Sequence, residues 1–357
     1  MVEIKGCRTM KLRENPLYRK DLEKALKAVL DLDKLAGKTI LITGATGLIC
    51  SSIVDLLLFC NEIRKTKITI YIAARSERNA YQRFAENENL HYLHYDANES
   101  IKFNVQVDYI IHGASNAYPE LIINYPVETM NANFYGLMNL LNYAKTHGVK
   151  RLLYISSSEI YGKKGNAHSF QENEYGFIDL LNPRSSYALA KRASETLCIS
   201  YLSEYNVDSV IARPGHIYGP TASPNDNRVS SSFAYTAARG KDIVLKSTGM
   251  QLRSYCYCLD CATAILTVLT RGKTGNAYNI SNNKSKITIY QMAKFISRSA
   301  NVKLLHEKPN EKEKIAYNPM ENSSLDSGKL EALGWEGFFT ADTGFQHTIS
   351  ILKQIDI

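Results

Sequence analysis

No run of apolar residues in this chain approaches the roughly 20 that a membrane-spanning helix needs. Long blocks of like charge are also missing, which together with an apolar content of 45% sets aside a disordered chain. The first 35 residues are rich in Lys and Glu and lack the apolar centre of an export signal, so secretion is not expected. Seven cysteines make an odd count without disulfide-framework spacing, as suits a reducing cytoplasm. Cys256-x-Cys258-x2-Cys261 lacks the second spaced pair of a structural zinc site, so these cysteines read as small buried hydrophobes. His91, His94, His112, His147 and His168 show no i,i+4 pairing, and no metal is expected. The basic residues are scattered rather than striped and accompany no nucleic-acid motif. Internal repeats and low-complexity tracts are absent.

What remains is ordinary globular material. The 357 residues carry a net charge of +8 and leave ample room for a buried core. Two domains, or one large α/β domain with a smaller lobe, is the natural expectation. In residues 1–36, Leu22, Leu26, Val29 and Leu30 recur at helical spacing, predicting an amphipathic helix between Asn15 and Leu35 that lies on the main body. Strands are then predicted at Thr39–Thr43, Ile68–Ile72, His91–Tyr95, Val107–Ile111, Arg151–Ile155 and Ser209–Ala212, with helix-period segments between several of them. That alternation predicts an α/β fold with a doubly wound parallel sheet over 37–212. Residues 213–357 loosen into stretches rich in Pro, Ser and Asn and read mainly as a second, smaller lobe, with segments returning to the first.

Gly44-Ala45-Thr46-Gly47-Leu48-Ile49-Cys50 stands between the first strand and the first helix of this series. A tight glycine turn at that place lets backbone N–H groups and a helix N-terminus approach a pyrophosphate. The usual third glycine is Cys50, a small residue at a position that governs helix–strand packing more than phosphate contact. An acidic residue ending the second strand would hold the ribose 2′-hydroxyl of NAD. Arg75 is there instead, beside Ser76 and near Arg78, which favours the 2′-phosphate of NADP and leaves NAD as the alternative. Asp96, after the third strand, is placed to accept from the adenine amino group.

Tyr187 and Lys191 lie four residues apart, on one face of a helix. A nearby ammonium, helped by an oxidised nicotinamide, would lower the phenol pKa enough for a base. They follow Ser156-Ser157-Ser158-Glu159 at the end of the fifth strand, where open α/β sheets bind ligands.

With these elements in order, the chain resembles the extended short-chain dehydrogenase/reductase superfamily, in its nucleotide-sugar epimerase/dehydratase/decarboxylase branch. The resemblance covers about residues 38–350 and includes His112-Gly-Ala-Ser115, Asn133-Phe-Tyr-Gly136, Arg213-Pro-Gly-His-Ile-Tyr-Gly-Pro220, Arg253 and Leu333-Gly-Trp335. It implies a Rossmann-like sheet with a C-terminal substrate lobe, and a homodimer through the helix carrying Tyr187. It also implies that Gly44, Thr46, Gly47, Leu48 and Ile49 hold NAD(P), joined by Ala97, His112, Ala114 and Pro214. By the same resemblance Ser157 orients the substrate hydroxyl, Tyr187 is the base and Lys191 binds the nicotinamide ribose. Ser115, Asn133, His216, Arg228 and Arg253 would face a nucleotide sugar, the two arginines gripping its phosphates, and Arg213 is a further cation offered to the ligands. Tyr118, Tyr161 and Tyr218 are open to either the sugar pocket or the core.

Members of this branch first make a 4-keto sugar. Where 4,6-dehydratases carry an Asp that protonates the leaving C6 hydroxyl, this chain has Ser158; where simple 4-epimerases lack an acid, it has Glu159. Hydroxyl–Ser–Glu, with Arg184 to Arg192 and Gly249-Met-Gln-Leu-Arg253, is most similar to UDP-glucuronate decarboxylases. Two departures keep other reactions open: His216 replaces the usual Asn, and Arg75 replaces the acidic NAD reader. A 4-epimerase and an NADPH-dependent 4-keto-sugar reductase remain the alternatives, ahead of a dehydratase or a non-catalytic NADP sensor.

Overall fold

The computed structural model describes residues 10–165, 168–308 and 320–355. The first nine residues of the N-terminal segment lie outside them. Within the first strand, side chains alternate between two helical layers: Ile40 and Ile42 enter one apolar cluster and Leu41 the other. Both faces are therefore covered, as a parallel sheet requires.

Helix α1 (Pro16–Ala28) precedes β1 (Thr39–Thr43), α2 (Leu48–Arg64), β2 (Thr69–Ala74), α3 (Glu77–Phe84) and β3 (Leu90–His94). Then come β4 (Tyr109–His112), α4 (Pro119–Asn124), α5 (Pro126–His147), β5 (Arg151–Ile155), α6 (Ser186–Tyr205) and β6 (Ser209–Pro214). The remaining elements used below are β7 (His216–Tyr218), α7 (Val229–Ala238), β8 (Ile243–Leu245), β9 (Leu252–Tyr257), α8 (Cys258–Arg271), β10 (Ala277–Ile280), β11 (Lys286–Thr288), α9 (Ile289–Ala300) and β12 (Leu304–His306). Seven strands form one parallel sheet in the order β10-β6-β5-β4-β1-β2-β3. The chain reverses its winding between β1 and β4, so a crevice opens at their C-terminal ends. Beside the sheet stand the three-stranded β11-β9-β7 and the pair β12-β8. No described helix is long and apolar enough to cross a membrane.

The six strands predicted from the sequence are present, shifted by up to two residues at their ends. The seventh, β10, is not predicted from the sequence and lies in the region that reads as rich in Pro, Ser and Asn. Its four residues include Tyr278 and Asn279, and Asn279 binds outward to Phe170 O and Asp326 O rather than presenting an apolar run. Cys258, Cys261 and the rest of the α8 stripe are buried against α2 and the sheet.

Between Asn15 and Leu35 the N-terminal segment packs against the main body and adds its apolar face to the core. Asn15 caps α1 by accepting from Leu17 N and Tyr18 N, and Pro16 occupies the first helical position. Tyr18, Leu22, Ala25 and Leu26 are buried between α2 and α8. The Tyr18 hydroxyl donates to Asp55 at 2.9 Å, and Asp21 accepts from Tyr257 at 2.9 Å and faces His347 Nδ1 at 2.8 Å. The helix stops at Ala28, short of the expected Leu35, because Val29 is extended and Asp31 is left-handed with φ 56°. This break turns Leu32 and Leu35 into the core. Leu22→Ala is expected to lower the unfolding free energy by about 2–5 kcal/mol, as measured by urea denaturation; a loss no larger than that of a surface substitution would show that the segment is peripheral.

Candidate functional site

At the sheet's crossover the backbone passes too close for side chains. Gly44 has φ +66°, and a Cβ there would lie 2.7 Å from Ala114 N. Gly47 caps the 17-residue α2, with its N–H donating to Gly44 O at 2.9 Å, and leaves the first free N–H groups of the helix facing the crevice. Cys50, on the first turn of α2, is buried, and burial pushes its thiol up to about 12. A Cβ on Gly113 would meet its Sγ at 2.3 Å. The close approach usually provided by a third glycine on the helix is thus provided by Gly113 on the facing segment. His112 lies behind, with Nδ1 2.7 Å from Thr43 Oγ1; burial lowers its pKa to about 3, so the ring is neutral. Its Nε2 has no partner among the described residues.

Arg75 is exposed at the end of β2 and makes no hydrogen bond or ion pair among the described residues. Its neighbour Ser76 caps α3, accepting from Asn79 N at 3.3 Å. Asp96 accepts from Asn98 N at 2.9 Å, and Ala97 is packed under Gly136, where a Cβ would come within 2.9 Å of it. Leu48 gives its carbonyl to the Thr221 hydroxyl. The glycine cradle and the uncapped helix N-terminus fit the pyrophosphate of a nicotinamide dinucleotide.

Beyond the crevice lies a cavity of about 860 Å³ that Ile49, Ser115, Ser157, Tyr187, Lys191 and Pro214 help to line. Ser157 follows β5, and its Oγ accepts from Glu159 N at 3.1 Å. Tyr187 occupies the first turn of α6, and Lys191 lies one turn further along. The Lys191 ammonium donates to Ile155 O at 2.7 Å and sits 4.7 Å from the Tyr154 ring centroid. Burial lowers its pKa to about 7. The lowered Tyr187 phenol is expected with an oxidised nicotinamide beside it; in the protein alone the phenol is raised. Burial first, and Glu159 second, push it up to about 12, against a smaller downward pull from Ser157. Lys191 is itself desolvated and donates a hydrogen bond to Ile155 O, so the protein alone leaves the phenol protonated.

Ser158 is buried on the cavity wall, and Glu159 is held by Arg184 through two bonds of 3.0 and 3.1 Å. Arg184 belongs to a short turn, Pro183–Ser185, that leads into α6 and is capped by Asn182. It was not foreseen as a site residue, although it precedes Tyr187 by three positions, one helical turn. At the other end, Arg228 is clamped by the wholly buried Asp226 and lies 5.7 Å from the Tyr118 ring centroid. Arg253 donates to the carbonyls of Leu252 and Met320. His216, near both arginines, is held neutral at about pKa 3 by burial and then by their charge.

Several expected residues stand elsewhere. Asn133 is fully enclosed, its amide donating to Thr129 O at 2.7 Å. Arg213 is locked to Glu195 and to the Tyr161 and Tyr175 hydroxyls, so its charge is spent inside the protein. Tyr161 and Tyr218 are core side chains; Tyr218 stacks on Phe345 with centroids 3.8 Å apart. No cluster of His, Cys, Asp and Glu suited to a metal occurs among the described residues.

The contact between Cys50 and Gly113 has a direct test. Gly113→Ala is expected to destabilise by about 1–3 kcal/mol through overpacking, and Cys50→Gly in the same chain is expected to restore part of that loss. A double-mutant cycle in urea reads the coupling; strict additivity would contradict the proposed exchange of space.

Residues 40–281 match the NAD dependent epimerase/dehydratase family. UDP-glucuronic acid decarboxylase 3 of Arabidopsis thaliana is 30% identical over 301 residues, 83% of this chain and 84% of that protein. UDP-glucuronic acid decarboxylase 1 of Xenopus tropicalis is 29% identical over 321 residues, 89% of this chain and 72% of that protein. Among solved structures, UDP-glucose 4-epimerase of Thermotoga maritima with UDP-glucose shares the fold at a TM-score of 0.74 and 20% identity, covering 88% of this chain and 98% of that one. A dTDP-glucose 4,6-dehydratase of Streptomyces venezuelae with NAD bound gives 0.73 at 22% identity, covering 88% and 96%. The family match spans more than half of the chain and agrees with the crossover crevice and the Tyr187–Lys191 pair: the chain belongs to the NAD dependent epimerase/dehydratase family.

Proposed function

We propose that this protein decarboxylates a nucleotide-linked uronate by way of oxidation at sugar C4. The observation that carries the reading is the placement of Ser157, Ser158 and Glu159 around Tyr187 on one cavity wall. Ser158 offers no strong acid for expelling a C6 hydroxyl, whereas loss of CO2 needs none. Relatives named UDP-glucuronic acid decarboxylase support uridine diphosphate as the carrier.

In this reading the Gly44–Gly47 turn and the N-terminus of α2 hold the pyrophosphate of the dinucleotide, and Lys191 meets its ribose. The nicotinamide supplies a hydride acceptor beside C4 and, when oxidised, a positive charge near the phenol. Ser157 orients the C4 hydroxyl, and Tyr187 takes its proton once ligands have lowered the phenol from its resting value. A C4 carbonyl then draws the electrons of the C5–C6 bond as CO2 departs, a proton returns to C5, and return of the same hydride to C4 with the proton from Tyr187 restores the C4 hydroxyl and the oxidised dinucleotide. Arg228 and Arg253 grip the diphosphate. Exposed Met130 and Tyr135 on α5 and Ile199 on α6 support pairing of two copies through these helices.

A second reading rests on Arg75. An unpaired cation at the end of β2 favours NADP, and a hydride drawn from free NADPH would make the protein a 4-keto-sugar reductase. Arg75→Ala is expected to weaken NADP binding by about 10-fold or more while sparing NAD; equal affinities before and after would remove this argument.

Purified full-length protein incubated with UDP-glucuronate and no added dinucleotide is expected to release CO2 and form a UDP-pentose. Strict dependence on NADPH with a 4-keto substrate would overturn the decarboxylase reading in favour of the reductase. Tyr187→Phe is expected to lower kcat by about 10²–10⁴-fold; a rate near that of the unsubstituted protein would contradict the role given to the phenol.

A further inference from the structure

The two carboxylate partners of the cavity arginines differ in a way that points to a reader of substrate charge. Arg228 is clamped by Asp226, whose side chain is wholly buried and has nowhere to go. Arg253 is positioned by backbone carbonyls and pairs with no carboxylate among the described residues. Arg184 alone of these three is paired with a carboxylate that faces the cavity: Glu159 is 31% exposed and Arg184 28%. Glu159 rides on a single 3-10 turn, Ser158–Tyr161, two residues after Ser157. Both charges of the pair act on the Tyr187 phenol, Glu159 upward and Arg184 downward, so the pair stands beside the group that meets the C4 hydroxyl.

We propose that Arg184 is the specificity-determining residue for a carboxylate on the sugar, and that Glu159 occupies the guanidinium until that carboxylate displaces it. The inference rests on the C4 reading above, because it is Tyr187 that brings the sugar's C4–C5–C6 edge to this wall. A substrate carboxylate can take over the bidentate geometry that Glu159 now fills, so Arg184 changes partner without losing hydrogen bonds. A neutral hydroxymethyl group offers one weaker acceptor and cannot compete with the resident Glu159. The exchange therefore selects a uronate over the corresponding neutral hexose, and it frees Glu159 beside the phenol. Arg184 enters the wall from the turn that starts α6, so the reader of charge and Tyr187 are carried by one rigid element.

The test measures binding, so it is independent of turnover. UDP-glucuronate and UDP-glucose are titrated calorimetrically into the full chain with its bound dinucleotide, in a Tyr187→Phe background that halts chemistry. Arg184→Met is expected to reduce the preference for UDP-glucuronate over UDP-glucose by about 10-fold or more. Glu159→Gln, which weakens the resident competitor, is expected to raise the same preference. An unchanged preference in folded Arg184→Met overturns the proposal. If that variant does not fold, an unchanged or lowered preference in Glu159→Gln overturns it instead, as does a parent protein that binds neither sugar or favours UDP-glucose. A protein that prefers UDP-glucuronate through Arg184 yet releases no CO2 would sink the decarboxylase reading and leave this one standing.

Discussion

The site depends on one bond between a helix and a strand end: the Lys191 ammonium to the carbonyl of Ile155, at 2.7 Å. It ties the start of α6 to the C-terminal end of β5, and that junction brings Tyr187 opposite Ser157. The bond is made in a dry place, and the lowered pKa of Lys191 shows the cost of burial. An ammonium engaged in this way cannot also pull strongly on the phenol. Without ligands Tyr187 is a protonated phenol, and under the proposed function it becomes a base only once they bind. Tuning of the phenol then falls to Glu159, Ser157, Arg228 and Arg184, and to whatever charge the ligands bring.

The second constraint is closeness of backbone at the crossover between β1 and β4. Gly44 cannot carry a side chain there because Ala114 N is in the way, and Gly113 has lost its own side chain to the Cys50 sulfur. The crevice remains narrow enough for main-chain N–H groups to face a phosphate although the third glycine of the usual turn is missing. Cys50 is a packing residue in this arrangement, and its raised thiol pKa agrees with that role. Burial of the other described cysteines answers the odd cysteine count in the same way.

Much of this was legible in the residues, and the exceptions have physical reasons. The glycine turn and Tyr187-x3-Lys191 were readable because each is a local pattern whose spacing carries its geometry. β10 was not, because a strand whose Asn279 binds outward to loops does not advertise itself by alternation. The N-terminal helix was visible, but its burial depends on Asp55, Tyr257 and His347, which are distant in sequence. Arg213 shows the opposite failure: a cation in a binding motif whose charge is already matched by Glu195. The phenol's raised pKa was likewise out of reach, because the pull of Lys191 follows from spacing whereas burial and Glu159 enter only through packing. Arg184 lies within a readable motif, but its importance emerges from the contrast between Glu159, which faces the cavity, and Asp226, which does not.

The central claim is that the reaction begins at sugar C4, next to Tyr187. The most direct measurement compares UDP-glucuronate with the same sugar carrying deuterium at C4, mixed rapidly with the dinucleotide-loaded protein while the absorbance of reduced nicotinamide is followed. The account predicts a transient absorbance rise that forms more slowly with the deuterated sugar, and whose deuterium is recovered on the nicotinamide ring. Consumption of both sugars at one rate, with no reduced nicotinamide and no deuterium on its ring at any time during turnover, would contradict it.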